Sequence, residues 1–286
     1  MRRLADTRIE WADAVWNCVT GCSKVSAGCK HCYAERMAQR FAGRNGYPAD
    51  EPFRVTLHPD KLDLPLHWKK PRKIFVNSMS DLFHSEVPDE FIRMVWDVMR
   101  SEDSRQHTFQ ILTERPARMM ELLQRWDWNL RDIYDQRPLP NVWLGVSVEN
   151  QQTADERIPL LLQTPAAVRF VSAEPLLGPI NLEDVAFDRE RAEAARRKAG
   201  GVGSPYPLDE WRLFINRDRC LDWVIAGGES GPGARPMEIE WARSLRDQCA
   251  AAGAAFFMKQ ITSRGRKAPK QSWPADLLVE EYPDAR

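Results

Sequence analysis

The fold of this chain is indicated most clearly by residues 141–172, which read NVWLGVSVENQQTADERIPLLLQTPAAVRFVS. An apolar run at 141–147 is followed by a stretch with helical spacing at 151–163, and a second apolar run follows at 168–172. Strands that are apolar on both faces and are separated by one helix are typical of parallel sheets covered by helices. Residues 141–172 therefore predict a βαβ unit.

The same alternation extends in both directions along the chain. Strands are predicted at 54–57, 73–77, 108–113, 141–147, 168–172, 221–226 and 255–258, and helices at 88–100, 116–125, 151–163 and 238–252. Such alternation predicts an α/β fold with seven or eight parallel strands and the helices outside them, as a barrel or as an open sheet.

Polar side chains recur at the carboxyl ends of these predicted strands, where βα loops gather functional groups in parallel folds. Glu114 and Glu149 are two examples. Eight such residues are predicted to converge on one cavity that faces the cysteines near the N-terminus: Asn77, Ser78, Asp81, Thr113, Ser147, Glu174, Glu229 and Lys259.

Four of the six cysteines lie within fifteen residues, at Cys18, Cys22, Cys29 and Cys32. Thiolates are soft ligands for zinc, copper(I) or iron–sulfur clusters, so this grouping predicts a metal or cluster site. Structural zinc usually takes two CxxC-like pairs, and only Cys29 and Cys32 form one. Cys22, Cys29 and Cys32 instead form a trio that leaves one iron of a cluster open, with Cys18 a bystander or a redox partner.

Five segments resemble a phage-associated family with a three-cysteine motif. They are WNCVTGC at 16–22, GCKHCYAE at 28–35, FVNSMSDLFH at 75–84, SAEPLLG at 172–178 and GGESG at 227–231. That family is similar to the radical S-adenosylmethionine (SAM) superfamily, whose commonest motif is CxxxCxxC. Two features depart from the pattern: the interval from Cys22 to Cys29 is longer, and Cys18 stands where the nearer family usually has proline.

The resemblance implies a partial or complete parallel (β/α) barrel of radical SAM type with an N-terminal cysteine-rich loop. It also implies an enzyme in which Cys22, Cys29 and Cys32 bind a [4Fe–4S] cluster that cleaves SAM and starts radical chemistry. Through the resemblance, cofactor binding is assigned to Tyr33, Asn77, Ser78, Asp81, Thr113, Ser147, Glu174 and Glu229.

The family's phage association favours nucleic acid or a nucleotide as the substrate, with a peptide as an alternative. Eleven tryptophans and the basic residues between Lys259 and Lys270 agree with base stacking and phosphate contact, although lysine plus arginine balance aspartate plus glutamate at 41 each. The implied partner is a reductant protein such as a flavodoxin or a ferredoxin. A zinc-stabilised binding protein and a non-enzymatic iron–sulfur sensor are the alternatives.

One domain is predicted at 1–262, with a charged insertion at about 183–219 and a C-terminal tail at 263–286. No run reaches the roughly 18 apolar residues of a membrane-spanning helix. The first residues lack a signal-peptide pattern, so we expect a cytoplasmic protein without a membrane partner.

Overall fold

The computed structural model describes residues 7, 9–129, 138–182, 221–263 and 265–283. Strands in these ranges are β1 (Ala14–Trp16), β2 (Val19–Thr20), β3 (Thr56–Leu57), β4 (Lys73–Val76), β5 (Thr108–Thr113), β6 (Val142–Ser147), β7 (Val168–Ala173), β8 (Trp223–Gly227), β9 (Ala255–Gln260), β10 (Thr262–Ser263) and β11 (Arg266–Lys267). The α-helices are α1 (Tyr33–Arg40), α2 (Asp89–Arg100), α3 (Pro116–Asn129), α4 (Gln151–Gln163) and α5 (Ile239–Ala252).

Seven strands form the main sheet in the order β1-β4-β5-β6-β7-β8-β9, and every neighbouring pair is parallel. Each crossover therefore moves the chain one position in the same direction. Because crossovers between parallel strands are right-handed, they place the connecting helices on one face. The sheet curls into a half-barrel surrounded by helices. The predicted parallel α/β fold is confirmed, and the barrel is partial.

Local sequence explains where the helices begin and end. Asn150 caps α4, since its Oδ1 accepts from the Thr153 N–H at 3.1 Å while the Thr153 hydroxyl accepts from the Asn150 N–H at 3.3 Å. Helix α5 ends at Gly253, whose φ of 67° lies in the left-handed region that favours glycine. The helical spacing of apolar residues predicted both helices within a few residues, at 151–163 and 238–252.

One predicted strand belongs elsewhere. Residues 54–57 were predicted to lie in the parallel sheet, but Thr56–Leu57 pairs antiparallel with Val19–Thr20 in a separate two-stranded sheet. The seventh strand of the main sheet is β1, which pairs with β4. A strand of three residues such as β1 carries too little periodicity to be recognised from the sequence.

The side chains on the inner face of the half-barrel differ in size and polarity between the amino and the carboxyl ends of the strands. Near their amino ends it holds an aromatic cluster in which Trp11 lies 6.4 Å from Phe170 and 6.1 Å from Trp223, measured between ring centroids. Side chains alternate along β6, so Ser147 points to the same face as Trp143. Large rings therefore fill one end of the concave face, and small or polar groups occupy the carboxyl end.

The predicted domain boundaries are only partly covered by the described residues. The charged insertion predicted at about 183–219 lies outside them. From the segment predicted as a C-terminal tail, Trp273 and Leu277 are buried in the main hydrophobic core. Tyr282 packs on Trp223 with ring centroids 5.3 Å apart, and the Trp223 indole N–H donates to the Glu281 carbonyl at 2.9 Å. Glu281 and Tyr282 therefore lie against the aromatic residues near the amino ends of the strands.

We predict that Gly145→Ala destabilises the fold, because a Cβ atom at this position would lie 2.5 Å from the Phe170 ring. Overpacking of this kind costs about 1–3 kcal/mol. Gly178→Ala is the matched control, since its Cβ would meet only Asn150 Cβ at 3.5 Å, an ordinary contact. Urea unfolding of both variants measures the difference, and equal stabilities would contradict this packing.

Candidate functional site at the carboxyl rim

The cysteine loop, residues 22–32, joins the β2 region to α1 and carries three of the cysteines. Cys22 follows Gly21, whose φ of 84° favours glycine and whose Cβ would lie 2.1 Å from the Arg54 carbonyl oxygen. Cys29 lies in the short 3-10 helix Ala27–His31, and Cys32 is the N-cap residue of α1. All three are free thiols of intermediate exposure.

The rim is formed by the carboxyl ends of the main-sheet strands and the residues that directly follow them. The cysteine loop first contacts this rim after β4 and β5. Arg115, two residues beyond β5, places Nη1 at 3.4 Å from Cys22 Sγ and at 2.9 Å from Asp81 Oδ2. Its Nη2 donates to the Ser23 carbonyl at 2.9 Å. One guanidinium therefore ties the start of the loop to the carboxylate that follows β4.

The second contact lies over the ends of β5 and β6. The Ser26 hydroxyl donates to Glu114 Oε2 at 2.9 Å and to Glu149 Oε1. The Cys29 thiol donates to Glu114 Oε2 at 3.3 Å. Gly28 packs so closely on Glu149 that a Cβ would lie 2.4 Å from Oε1. Two carboxylates thus lie directly beneath the middle of the loop.

Arg157 of α4 partly neutralises these two carboxylates. Its Nη2 lies 3.5 Å from Glu114 Oε2, and its Nη1 lies 3.6 Å from Glu149 Oε1. Burial raises the pKa of Glu114 above its ordinary value, Arg157 opposes that change, and Glu149 adds to it. The Glu149 side chain is 1% exposed, and within the described ranges its Oε2 accepts no hydrogen bond. Glu149 Oε2 is therefore a buried acceptor that could still receive a hydrogen bond.

The third contact is made beyond β8. His31 Nδ1 lies 2.9 Å from Glu229 Oε2, and Arg235 donates to the same carboxylate from its backbone N–H at 2.8 Å and from Nη2 at 2.6 Å. Burial acts to raise the pKa of Glu229, but the hydrogen bonds from Arg235 and His31 outweigh it and lower that pKa to about 2. The loop therefore contacts the rim at β4–β5, at β5–β6 and after β8, and so crosses the mouth of the half-barrel.

The cysteines differ in environment. Burial raises the pKa of Cys22 to about 11, with Arg115 lowering it and Asp81 raising it, and burial also raises the pKa of Cys29 and of Cys32. Cys18 lies in the hydrophobic core, where burial raises its pKa to about 12. This packing supports the bystander alternative for Cys18. Across the described residues, no group of three or more His, Cys, Asp or Glu side chains is placed to hold a single metal ion.

Several of the predicted site residues contact the cysteine segment, by which we mean residues 16–32, the cysteine loop together with the residues that precede it. Asn77, with a φ of 60°, accepts at Oδ1 from the Val19 N–H at 3.1 Å. Ser78 donates to Asn17 Oδ1 at 3.2 Å. Thr113 donates to Asp81 Oδ1 at 2.8 Å and thereby supports the Asp81–Arg115 pair. Four predicted residues at the ends of β4 and β5 therefore lie at, or support, the anchor of the cysteine segment.

The other predicted residues lie further round the rim or at the surface. Glu174 forms an ion pair with Lys259 at 2.8 Å and accepts from the Ser172 hydroxyl at 2.9 Å. Ser147 is buried on the inner face, and its carbonyl accepts from Arg157 at 2.8 Å. Tyr33 is 55% exposed at the start of α1. Glu174, Lys259 and Ser147 thus lie at the carboxyl ends of β7, β9 and β6, and none of these contacts joins them to the cysteine loop.

Sequence patterns did not predict the basic residues that contact the rim carboxylates, namely Arg115, His31, Arg157 and Arg235. Arg115 and His31 are adjacent in sequence to candidate residues, so their positions offered a signal. Arg157 and Arg235 lie in a helix and in a loop, and no strand-end pattern marks them. The three arginines place a guanidinium against a rim carboxylate, and Arg115 also contacts Cys22. His31 places a ring nitrogen against Glu229.

A model of the family described as "Protein of unknown function (DUF5131)" matches residues 6–275. The match covers most of the chain, and the chain belongs to this family. No curated protein matches the chain, and no solved structure matches it. Within the described ranges, no helix is both long and apolar enough to cross a membrane.

We predict that Glu229→Gln reduces the acid sensitivity of folding. Because the pKa of Glu229 falls from 4.5 to about 2 in the folded protein, its ionised form stabilises the fold above pH 4.5. That stabilisation is lost as the pH falls through the range from 4.5 to about 2. Urea unfolding at several pH values should show a steeper loss for the wild type than for Glu229→Gln, and parallel profiles would contradict the assigned pKa.

Proposed function

We propose that this member of the DUF5131 family is a radical SAM-like enzyme that uses a [4Fe–4S] cluster and SAM. The observation that carries the proposal is the path of the cysteine loop, which crosses the carboxyl mouth of a parallel half-barrel. Enzymes built on parallel (β/α) units place their chemistry at this end of the strands. Cys22, Cys29 and Cys32 are thereby positioned over a concave, polar-rimmed space.

The donor set fits a cluster with one open iron. Three free cysteines on one loop would supply soft thiolates, the ligands that iron–sulfur clusters take. Cys22, Cys29 and Cys32 would hold such a cluster, and this motif would leave one iron able to bind a small molecule. Gly21 and Gly28 allow the loop backbone to pass close to its neighbours, since a side chain at either position would clash.

Two buried polar atoms at the rim fit the methionyl part of SAM. In the part of the chain that the structure describes, Asn77 Nδ2 has no acceptor and Glu149 Oε2 has no donor. A buried donor without a partner and a buried acceptor without a partner each cost free energy. An α-carboxylate accepts hydrogen bonds and an α-amino group donates them, so we assign Asn77 to the carboxylate and Glu149 to the amino group.

Cys22, Cys29 and Cys32 would hold the cluster, which would supply the electron for cleavage of the sulfonium of SAM and so for radical chemistry. The protein's own residues orient and shield that chemistry. Arg115 and His31 hold the two ends of the loop, and Arg157 holds Glu114 and Glu149 beneath it. The aromatic cluster around Trp223 closes the amino end of the half-barrel, which excludes water from that side.

The substrate proposal is nucleic acid or a nucleotide, and the electron donor is a flavodoxin or a ferredoxin. The support is the resemblance to a phage-associated family. The basic segment near the C-terminus adds little, because Lys259 pairs with Glu174, Lys267 with Glu10 and Lys270 with Glu280. The substrate is therefore expected to bind the rim rather than this segment.

We predict that Cys22→Ala, Cys29→Ala and Cys32→Ala each abolish the iron–sulfur absorbance of anaerobically reconstituted protein, because each removes one of three thiolate ligands. Cys18→Ala is the control, and it should keep most of the absorbance because Cys18 packs in the core. Iron and sulfide analysis together with the visible spectrum measures the effect. Loss of the cluster through Cys18→Ala alone would overturn the ligand assignment.

We also predict that the reduced, reconstituted protein converts SAM to 5′-deoxyadenosine, detected by liquid chromatography and mass spectrometry. Cys29→Ala serves as the negative control. Glu149→Gln should keep the iron content but weaken SAM binding, because an amide oxygen replaces the carboxylate assigned to the amino group. Zinc in place of iron and sulfide would identify a zinc-stabilised binding protein. A cluster whose EPR spectrum does not respond to SAM would identify a non-enzymatic sensor.

A further inference from the structure

Arg115 makes a contact that loop anchoring alone does not require. Its Nη1 lies 3.4 Å from Cys22 Sγ, within the range of an N–H···S hydrogen bond, and its side chain is 14% exposed. The same guanidinium donates from Nη2 to the Ser23 carbonyl at 2.9 Å and to the Ser23 hydroxyl at 3.1 Å. A positive charge is thus held against the sulfur of one proposed cluster ligand.

The orientation of Arg115 is set by Asp81. Asp81 accepts from the Phe83 N–H and the Arg115 Nη1 at 2.9 Å each, from the Glu114 N–H at 3.0 Å, and from the Thr113 hydroxyl. Every lone-pair region of this buried carboxylate therefore has a donor. Asp81 has little capacity left for a further ligand, and its position beneath Arg115 makes it a positioning residue for the guanidinium.

We propose that the Asp81–Arg115 pair sets the reduction potential of the cluster bound through Cys22. This inference depends on the proposed function in one respect: it requires that the cysteines bind the cluster. Hydrogen bonds and charges at the sulfurs are known determinants of iron–sulfur potentials. Reduction adds one negative charge to the cluster, so an N–H group and a positive charge at Cys22 stabilise the reduced form. Arg115 therefore raises the potential, and the negative charge of Asp81 moderates that effect.

The sign of the effect distinguishes this role from a structural one. Arg115→Gln removes the positive charge and shortens the donor, so the potential should become more negative. Asp81→Asn removes a negative charge at nearly constant volume and keeps one side-chain oxygen to accept from Arg115, so the guanidinium stays in place and the potential should become more positive. A general loosening of the loop would move both variants in the same direction. Opposite shifts are therefore the signature of electrostatic tuning.

The test measures midpoint potentials by EPR-monitored redox titration of the reconstituted proteins without SAM. The matched control is Arg118→Gln, because Arg118 is also partly buried and pairs with a carboxylate, Asp89, at 2.7 Å, but makes no hydrogen bond to a cysteine among the described residues. The expected result is a negative shift for Arg115→Gln, a positive shift for Asp81→Asn and the wild-type potential for Arg118→Gln.

Equal potentials in the wild type and Arg115→Gln, or shifts of one sign in both site variants, would overturn the inference. If Arg115→Gln binds less iron than the wild type, the Asp81→Asn titration decides alone: a positive shift supports the inference, and any other result overturns it. A wild type without a cluster contradicts this inference and the proposed function together. A cluster that yields no 5′-deoxyadenosine contradicts only the proposed function, because the potential is measured on the cluster itself.

Discussion

Parallel pairing in chain order is the constraint on which the rest of this structure depends. Seven strands pair through their backbones in one direction, from β1 to β9. Because all seven strands are parallel, every strand ends on one rim. Because each crossover moves the chain the same way, the helices lie on one face and the other face becomes the concave inner face. The cysteine loop, the rim carboxylates and the aromatic cluster all take their positions from that arrangement. A sheet wound in both directions from its centre would also end its strands on one edge, but it would carry helices on both faces and leave no concave inner face for the aromatic cluster.

The rim then has to accommodate several buried carboxylates, and arginines do so. Asp81 pairs with Arg115, Glu114 and Glu149 share Arg157, and Glu229 pairs with Arg235. A buried charge without a partner is strongly destabilising, whereas a well-hydrogen-bonded pair offsets most of its desolvation. Since Arg115 also contacts Cys22, and Ser26 of the loop contacts Glu114 and Glu149, the electrostatic design of the rim extends to the loop above it.

This arrangement connects the proposed chemistry with the stability of the fold. The loop is bound to the rim by side chains that follow different strands, so its geometry depends on the complete sheet. Among the described residues, the rim atoms Asn77 Nδ2 and Glu149 Oε2 are buried and have no hydrogen-bond partner. Each therefore lowers the stability of the fold. Residues that break local rules in this way tend to mark functional sites. They lie where the proposed function needs a donor and an acceptor.

The sequence by itself determined the class of fold and most of its elements. Apolar runs predicted six of the seven parallel strands, and the helical spacing of apolar residues predicted α2 to α5, because both signals are local. Strand-end position also selected Asp81, Thr113 and Glu229, since parallel strands bring their carboxyl ends together. Only the tertiary structure decided the pairing of residues 56–57 with β2, the membership of β1 in the sheet, and the partnership of Arg115 and Arg157 with carboxylates distant in sequence. Those choices depend on distances between side chains in the folded chain, and periodicity along a single chain does not contain them.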